Sequence, residues 1–249
     1  MSEQLQLDFD KIIKTSKFSN EEIQSKKFFL KKFIENGFPN RKQEDWKFLD
    51  ISQIIKKNIS DLSFFNDYSL PNKIDPSIFV DGLEHNKIIF INGRIEKIDF
   101  SYEDQNKIEI KDEIERSILF DYENSLIDLN SAFINKVFKI FVKKNYSLKK
   151  PLIIYHSTND KMKSTNVNLR LDFELGENSC LRLIDFFTDN TNKNFINIFY
   201  NFNLLKDSIL KNYKIDKFKN DNLKYSFNNI EQGNNSVSET FILSAGSDY

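Results

Sequence analysis

The chain has 249 residues, 36 basic against 37 acidic, and a formal net charge of −1, a balance that gives no electrostatic case for nucleic acid or an anionic membrane. Hydrophobic residues make up 39%, and no apolar run approaches the ~20 residues of a membrane-spanning helix. The opening MSEQLQLDFDKII lacks a basic stretch followed by a long apolar one, so no secretory signal is read there and a cytoplasmic protein is expected.

The N-terminal third reads as helical. Ser19 and Glu22 stand at capping-box spacing, where a hydroxyl accepts from the first turn and a carboxylate reaches back. Ile23, Leu30 and Ile34 follow near helical spacing, Phe29 and Phe33 widen the stripe, and Lys26, Lys27, Lys31 and Lys32 take much of the remaining surface. Asn36-Gly37 supplies the stop and Pro39 confirms it. Asp50 with Gln53 opens a second short helix through Ile54 and Ile55. The connection, GFPNRKQEDWKFLDI (37–51), holds the only tryptophan, Trp46. Its ring is expected to pack on the joint between the helices, with Arg41 and Lys47 over it and paired to Glu44 or Asp45.

From about 58 to 110 the pattern weakens, with Pro71 and Pro76 punctuating a loop-rich stretch. Within it KIIFINGRIEKIDF (87–100) predicts a hairpin, because Asn92-Gly93 between apolar runs suits a turn whose two positions both need φ > 0. Residues 112–135 read as helical again, on Ile114, Ile118, Leu119, Leu126, Leu129 and Phe133.

After residue 137 strands dominate. NVNLRLDFEL (166–175) alternates strictly, Val167, Leu169, Leu171, Phe173 and Leu175 against Asn166, Asn168, Arg170, Asp172 and Glu174, and predicts a strand with one buried face. Further strands are expected at 181–187, 195–204, 209–215, 223–230 and 237–243. LGENSCLRLID, LKDSILKNYKI and GNNSVSETFIL each place a polar turn, a serine and a strand in that order. Ser179, Ser208 and Ser236 are 29 and 28 residues apart; Ser147, 32 earlier, is a looser match. A period near 30 favours a β-helix whose coils bury their inner faces by stacking; the alternative is an antiparallel sandwich, whose turns recur at about 8–12 residues.

No catalytic constellation emerges. Cys180 is the only cysteine, in a strand-like segment, and reads as a buried structural thiol; His85 and His156 lie far apart and read as ordinary core or surface residues. Six scattered glycines form no phosphate loop, and no G-x-S-x-G elbow occurs. Asp172, Glu174 and Asp185 fall at alternate strand positions and read as a solvated face; Lys143-Lys144 and Lys149-Lys150 read as soluble edges.

Four stretches together resemble the SufB/SufD family of iron–sulfur cluster assembly proteins, on its SufD side. Gly37, Pro39, Arg41, Glu44, Trp46, Lys47 and Phe48 match G-x-P-x-R-x-x-E-x-W-[KR]-[YF]. IIFINGRI (88–95) is similar to the family's strand–Asn-Gly segment. LNSAFINKVFKIFVKKNYSLKKPLIIYH (129–156) is similar to its helix-to-solenoid segment, with Asn130, Ala132 and Phe133 in register, and the serine repeats resemble the coils that follow.

The resemblance implies an α+β chain: a mainly helical domain over 1–136 with a small hairpin, then a right-handed parallel β-helix over 137–249. It implies a non-catalytic scaffold that pairs with SufB through the β-helix and belongs with the SufC ATPase to a complex that builds an iron–sulfur cluster. In the family, the SufC contact and the functional Cys and His residues lie in later coils and a C-terminal helical domain, for which this sequence shows no counterpart before Tyr249. The expectation is therefore an incomplete β-helix with no catalytic, metal or cofactor residue of its own, and Cys180 matches none of the family's. Its last coil is expected to expose an apolar inner face and to associate through that end. Two other readings stay open, a β-helix enzyme acting on polysaccharide and an unrelated β-solenoid interaction module.

Overall fold

A computed structural model describes residues 2–59, 61–67, 74–113, 123–158, 162–188, 193–218 and 222–246. Pro71, Ile114, Ile118 and Leu119 lie outside them. Among the described residues, no helix is long and apolar enough to cross a membrane.

Among the described residues, four α-helices fall between residues 2 and 133. In α1 (Ser2–Thr15), Leu5, Phe9 and Ile12 share one buried stripe. Asp8 anchors that helix, its carboxylate accepting from the backbone N–H of Phe64 at 2.8 Å. Helix α2 (Asn20–Asn36) begins with the capping box: the N–H of Ser19 donates to Glu22 Oε2 at 2.5 Å, and the N–H of Glu22 to Ser19 Oγ at 3.2 Å. Ser19→Ala is expected to cost about 1 kcal/mol, measured as a fall in the urea midpoint at constant slope. An unchanged midpoint would refute that role. Gly37 ends the helix at φ 67°, its N–H donating to the carbonyl of Phe33 at 2.7 Å.

Two helical expectations need correction. Lys26 is not a surface lysine but is 4% exposed; its Nζ donates to the carbonyls of Ser131 (3.3 Å) and Ile134 (2.5 Å). A cation there satisfies carbonyls that the C-terminal end of α4 (Ser125–Phe133) would leave free. The helix expected over 112–135 is also shorter. Residues 112 and 113 close a strand, β3 (Ile108–Glu113), and α4 starts behind Asn124, whose Oδ1 accepts from the N–H of Leu126 at 3.0 Å. Helix α3 (Ile51–Asn58) opens as expected, with Asp50 Oδ1 accepting from the N–H of Gln53 at 2.9 Å.

The hairpin is β1 (Asn86–Ile91) and β2 (Arg94–Asp99), turning at Asn92 (φ 54°) and Gly93 (φ 77°). Eight more strands follow: β4 (Val137–Val142), β5 (Leu152–Ser157), β6 (Asn166–Leu175), β7 (Cys180–Thr188), β8 (Phe195–Leu204), β9 (Ile209–Lys217), β10 (Leu223–Gln232) and β11 (Val237–Ala245). They alternate between two sheets, ordered β2-β1-β5-β7-β9-β11 and β3-β4-β6-β8-β10. Every pairing among β4–β11 is parallel, which fits a solenoid and not an antiparallel sandwich. The winding makes about three turns. Both sheets continue upstream of residue 137, since β1 pairs in parallel with β5 and β3 pairs antiparallel with β4.

The serine repeat marks one corner of the coils. The N–H groups of Ser179, Ser208 and Ser236 donate to the carbonyls of Gly176, Leu205 and Gly233 at 3.1, 3.1 and 3.2 Å. Just before each serine sits a left-handed residue, Asn178, Asp207 or Asn235, at φ 54°, 57° and 58°. Asn and Asp tolerate that conformation, and their side chains also stack between coils. Asn178 Nδ2 donates to Asn145 Oδ1 at 3.0 Å, and Asn235 Nδ2 to Asp207 Oδ1 at 3.2 Å. Ser147 is out of step, bridging Cys180 rather than Ser179. The opposite corner has its own ladder, the N–H of Thr165 donating to Asn194 Oδ1 at 3.0 Å and that of Asn194 to Asn222 Oδ1 at 2.7 Å.

Three apolar clusters hold these parts together. One fills the lumen with residues such as Leu169, Leu171, Phe173, Leu183 and Phe202. A second, including Phe9, Phe33, Phe38, Phe64 and Phe133, sits between the helices and the outer face of the β10-containing sheet at Phe195. This contact overturns the one-faced reading of β6: Asn166, Asn168 and Arg170 are 0%, 3% and 3% exposed. The strand is buried on both faces through Arg170, whose Nε pairs with Asp172 at 3.0 Å and whose guanidinium lies 4.9 Å from the Phe199 ring. The third cluster lays Ile74, Ile78, Phe79 and Val80 over the outer face of the other sheet, on Ile89, Ile153 and Tyr155.

Candidate functional site in the solenoid lumen

Strand alternation and the parallel register decide which side chains enter the lumen. In β7 these are Leu181, Leu183, Asp185 and Phe187; in β9, Leu210, Asn212, Lys214 and Asp216. Asp185 and Lys214 are register partners on neighbouring strands. The lumen therefore changes character along its axis, from apolar in the early coils to charged in the late ones.

Asp185 is the centre of this charged section and is 0% exposed. His156 Nε2 stands 2.9 Å from its Oδ1, and the Tyr200 hydroxyl donates to its Oδ2 at 2.5 Å. Lys214 Nζ lies 3.6 Å from Oδ2 and 3.7 Å from the Tyr200 ring centroid. The same ammonium donates to Ser226 Oγ and Asn228 Oδ1, each at 2.8 Å, and so ties β9 to β10. Lys224 pairs with Asp216 and sits 5.1 Å from the Phe187 ring. His156 stacks on Phe90 at 5.5 Å and 13°.

Burial and charge compete at each group. Desolvation alone would raise the Asp185 pKa, but the charges of Lys224, His156 and Lys214 outweigh it and hold the carboxyl well below the usual range. Burial pushes Lys214 down to about 8 against the opposing pull of Asp185. Burial first, then the Asp185 charge, lifts the Tyr200 phenol well above its ordinary value. The cluster places proton donors and acceptors within hydrogen-bond reach, roofed by β10. Beside His156 is a void of about 10 Å³, the size of one water molecule.

Open clefts lie elsewhere. One of about 350 Å³ has an apolar floor of Ile95, Ile98, Ile110 and Phe138, with Arg94, Asp112 and Lys136 at its rim. Lys136 pairs with Asp112 there. Among the described residues, no group of three or more His, Cys, Asp or Glu is placed to hold a metal. Cys180 is a free, half-buried thiol at the start of β7. His85 is engaged, Nδ1 with the Leu83 carbonyl at 2.6 Å and Nε2 with the Tyr155 hydroxyl at 2.9 Å.

The signature residues gather at the foot of the helical part. Gly37 and Pro39 form the α2–α3 connection, with the Pro39 carbonyl accepting from the N–H of Ile51 at 3.1 Å. Arg41 is exposed. Lys47 pairs with exposed Glu44 at 3.1 Å, and its Nζ stands 5.2 Å from the Phe48 ring rather than over Trp46. Trp46 is half-buried, packs on the helical cluster, and meets Tyr225 of β10 at 5.8 Å. The ring thus reaches across from the helices to the solenoid. Tyr225 is fixed in turn by Asn124, whose Nδ2 donates to its hydroxyl at 2.8 Å.

The charged lumen escaped sequence reasoning, which placed Asp185 on a solvated face. The signal was available in the repeat: Asp185 and Lys214 are one 29-residue period apart, so stacked coils must set them side by side. No protein-family model matches the chain, and no curated protein does.

Proposed function

We propose that this chain is a SufD-like component of an iron–sulfur cluster assembly complex, a non-catalytic cytoplasmic scaffold that pairs with a SufB-like chain through its solenoid, in company with a SufC-type ATPase. Right-handed winding of the solenoid belongs to this reading and accords with the general handedness of parallel crossovers. The observation that carries it is where two of the quoted motifs meet, the signature stretch and the helix-to-solenoid segment. Trp46 of the signature packs against Tyr225, Asn124 holds that tyrosine, and the helix that follows, with Asn130, Ala132 and Phe133 buried, sits on the same sheet. Motifs far apart in sequence converge on one joint between a helical part and a parallel β-solenoid.

A polysaccharide-active enzyme would need paired carboxylates facing one groove. Two open clefts carry one carboxylate each, Asp112 and Glu231. Asp185 is enclosed in the lumen, and Asp172 is tied to Arg170.

The test is co-expression of the tagged chain with the SufB-like and SufC-like proteins of its own source. Co-purification of the SufB-like chain in a fixed ratio, lost when the solenoid strands β10 and β11 carry proline substitutions on otherwise folded protein, is the expected result. No association with a SufB-like chain under anaerobic conditions would overturn the reading. So would a stoichiometric iron–sulfur absorbance reconstituted on this chain alone, because the cluster is expected to belong to the complex.

A further inference from the structure

We propose that the bare outer face of β9 and β11 is a docking surface for a second copy of this chain. This inference stands independently of the scaffold reading, since it uses the sheet's face and not its open edge.

The face is largely apolar and is uncovered among the described residues. In register, Ile209 pairs with Val237, Lys211 with Glu239, Tyr213 with Phe241 and Ile215 with Leu243. Side chains in these rows point away from the lumen, opposite to Leu210, Asn212 and Lys214. Phe241 is 57% exposed and Leu243 50%. The upstream half of this same face is covered: Ile74, Ile78, Phe79 and Val80 lie on Ile153, Tyr155, Ile184 and Phe186. That cover ends at β7. A contiguous apolar sheet face left open beyond it marks an interaction surface rather than scattered surface residues.

Charge selects the occupant. The charged row within the patch is Lys211–Glu239, already paired at 3.3 Å within the chain, and a second charge, Lys217, stands opposite Ala245 in the row that ends the patch. A two-fold axis parallel to the strands, running between β9 and β11, sets β9 of one copy over β11 of the other. Each row then meets its own complement: Ile209 on Val237, Tyr213 on Phe241, Ile215 on Leu243. At the charged row Lys211 faces Glu239 of the second copy twice over, giving a four-charge square with alternating signs. An axis along β9 itself, or one perpendicular to the strands at that row, would oppose Lys211 to Lys211 and is disfavoured. The arrangement is isologous and closed, with two sheets about 10 Å apart in aligned packing. Two strands per copy make a small interface, of the size class of weak, reversible dimers.

Sedimentation of the full chain over a wide concentration range tests this. A reversible monomer–dimer equilibrium is expected, abolished by Phe241→Asp. Lys211→Glu and Glu239→Lys should each weaken the dimer tenfold or more, and the double swap Lys211→Glu/Glu239→Lys should restore it. Circular dichroism melts establish that each variant is folded; if Phe241→Asp is not, Tyr213→Asp replaces it and the charge swap still decides. A monomer at every concentration overturns the proposal. So does a dimer indifferent to these variants, which would place association at the β11 edge, or a swap that fails to restore it.

Discussion

Asp185→Asn is expected to destabilise the fold by about 3–5 kcal/mol, because it leaves the Lys214 ammonium buried beside a neutral amide. Asp185 is fully enclosed and holds His156, Tyr200 and Lys214 at once. Charge pairs of this kind cost much to break and little to replace. A double variant, Asp185→Leu with Lys214→Met, should therefore recover most of the loss. Urea denaturation of the parent, the single and the double variant gives both numbers. A single-variant loss below ~1 kcal/mol would show that the carboxylate does not anchor the late coils.

The same cluster gives a pH profile with two separate limbs of the same sign, one acid and one alkaline, along each of which stability rises with pH. Asp185 has a folded pKa below its unfolded 3.8, so the folded state binds the proton less readily. Its contribution is fully present above pH ~4 and is lost as pH falls below the unfolded value. Lys214 is also depressed, from 10.5 to about 8, but here the depression favours the neutral amine in the folded state. Between those values the unfolded chain binds more protons, so this group raises stability as pH climbs from about 8 to 10.5. Lys214→Met should remove the alkaline limb and leave the acid one.

Much of the fold was legible in the sequence. Strict alternation located β6, the Asn-Gly pair located the hairpin, and the serine spacing of 29 and 28 residues pointed to stacked coils. These signals are local, and local chemistry executes them: the αL residue before each serine turns the chain whatever packs beyond it. Long-range contacts decided the rest. Lys26 sits in a helix like its neighbouring lysines, and only the distant end of α4 makes it a buried cap. Arg170 alternates like a solvent-facing residue, yet the helical part covers it. Helix α1 lacks a cap signal and offers one short stripe of three apolar residues, too little to distinguish from loop. Nor does the last coil present the apolar inner face that simple repetition implies. Its inward residues in β10 include Lys224, Ser226 and Asn228, which complete the charge network of the coil below. An interior of opposite charges can be recognised in sequence only after the coil period is applied.

Asn130→Leu is expected to cost about 1–3 kcal/mol, because it removes two buried hydrogen bonds at about 0.5–1.5 kcal/mol each. Asn130 projects from α4 onto the solenoid, and its Nδ2 donates to the carbonyl of Leu169 in β6 at 3.1 Å and of Asn197 in β8 at 2.9 Å. One amide therefore clamps two successive coils from outside. Asn197 returns the contact, its Nδ2 donating to the Leu126 carbonyl at 2.7 Å. Leucine keeps the branched outline of asparagine and fills its space but supplies no donor, so the loss reports the hydrogen bonds rather than a cavity. Asn130→Asp should be worse, since it turns acceptors toward acceptors in a site with no water-facing side. Hydrogen exchange separates a local clamp from a general weakening. Amides of α4 should lose protection, while those of the turn ladder at Asn178 and Asp207, held by their own coil-to-coil bonds, should keep theirs. A variant within ~0.5 kcal/mol of the parent would mean that apolar packing of Ala132 and Phe133, and not the Asn130 amide, fastens the helical part to the coils.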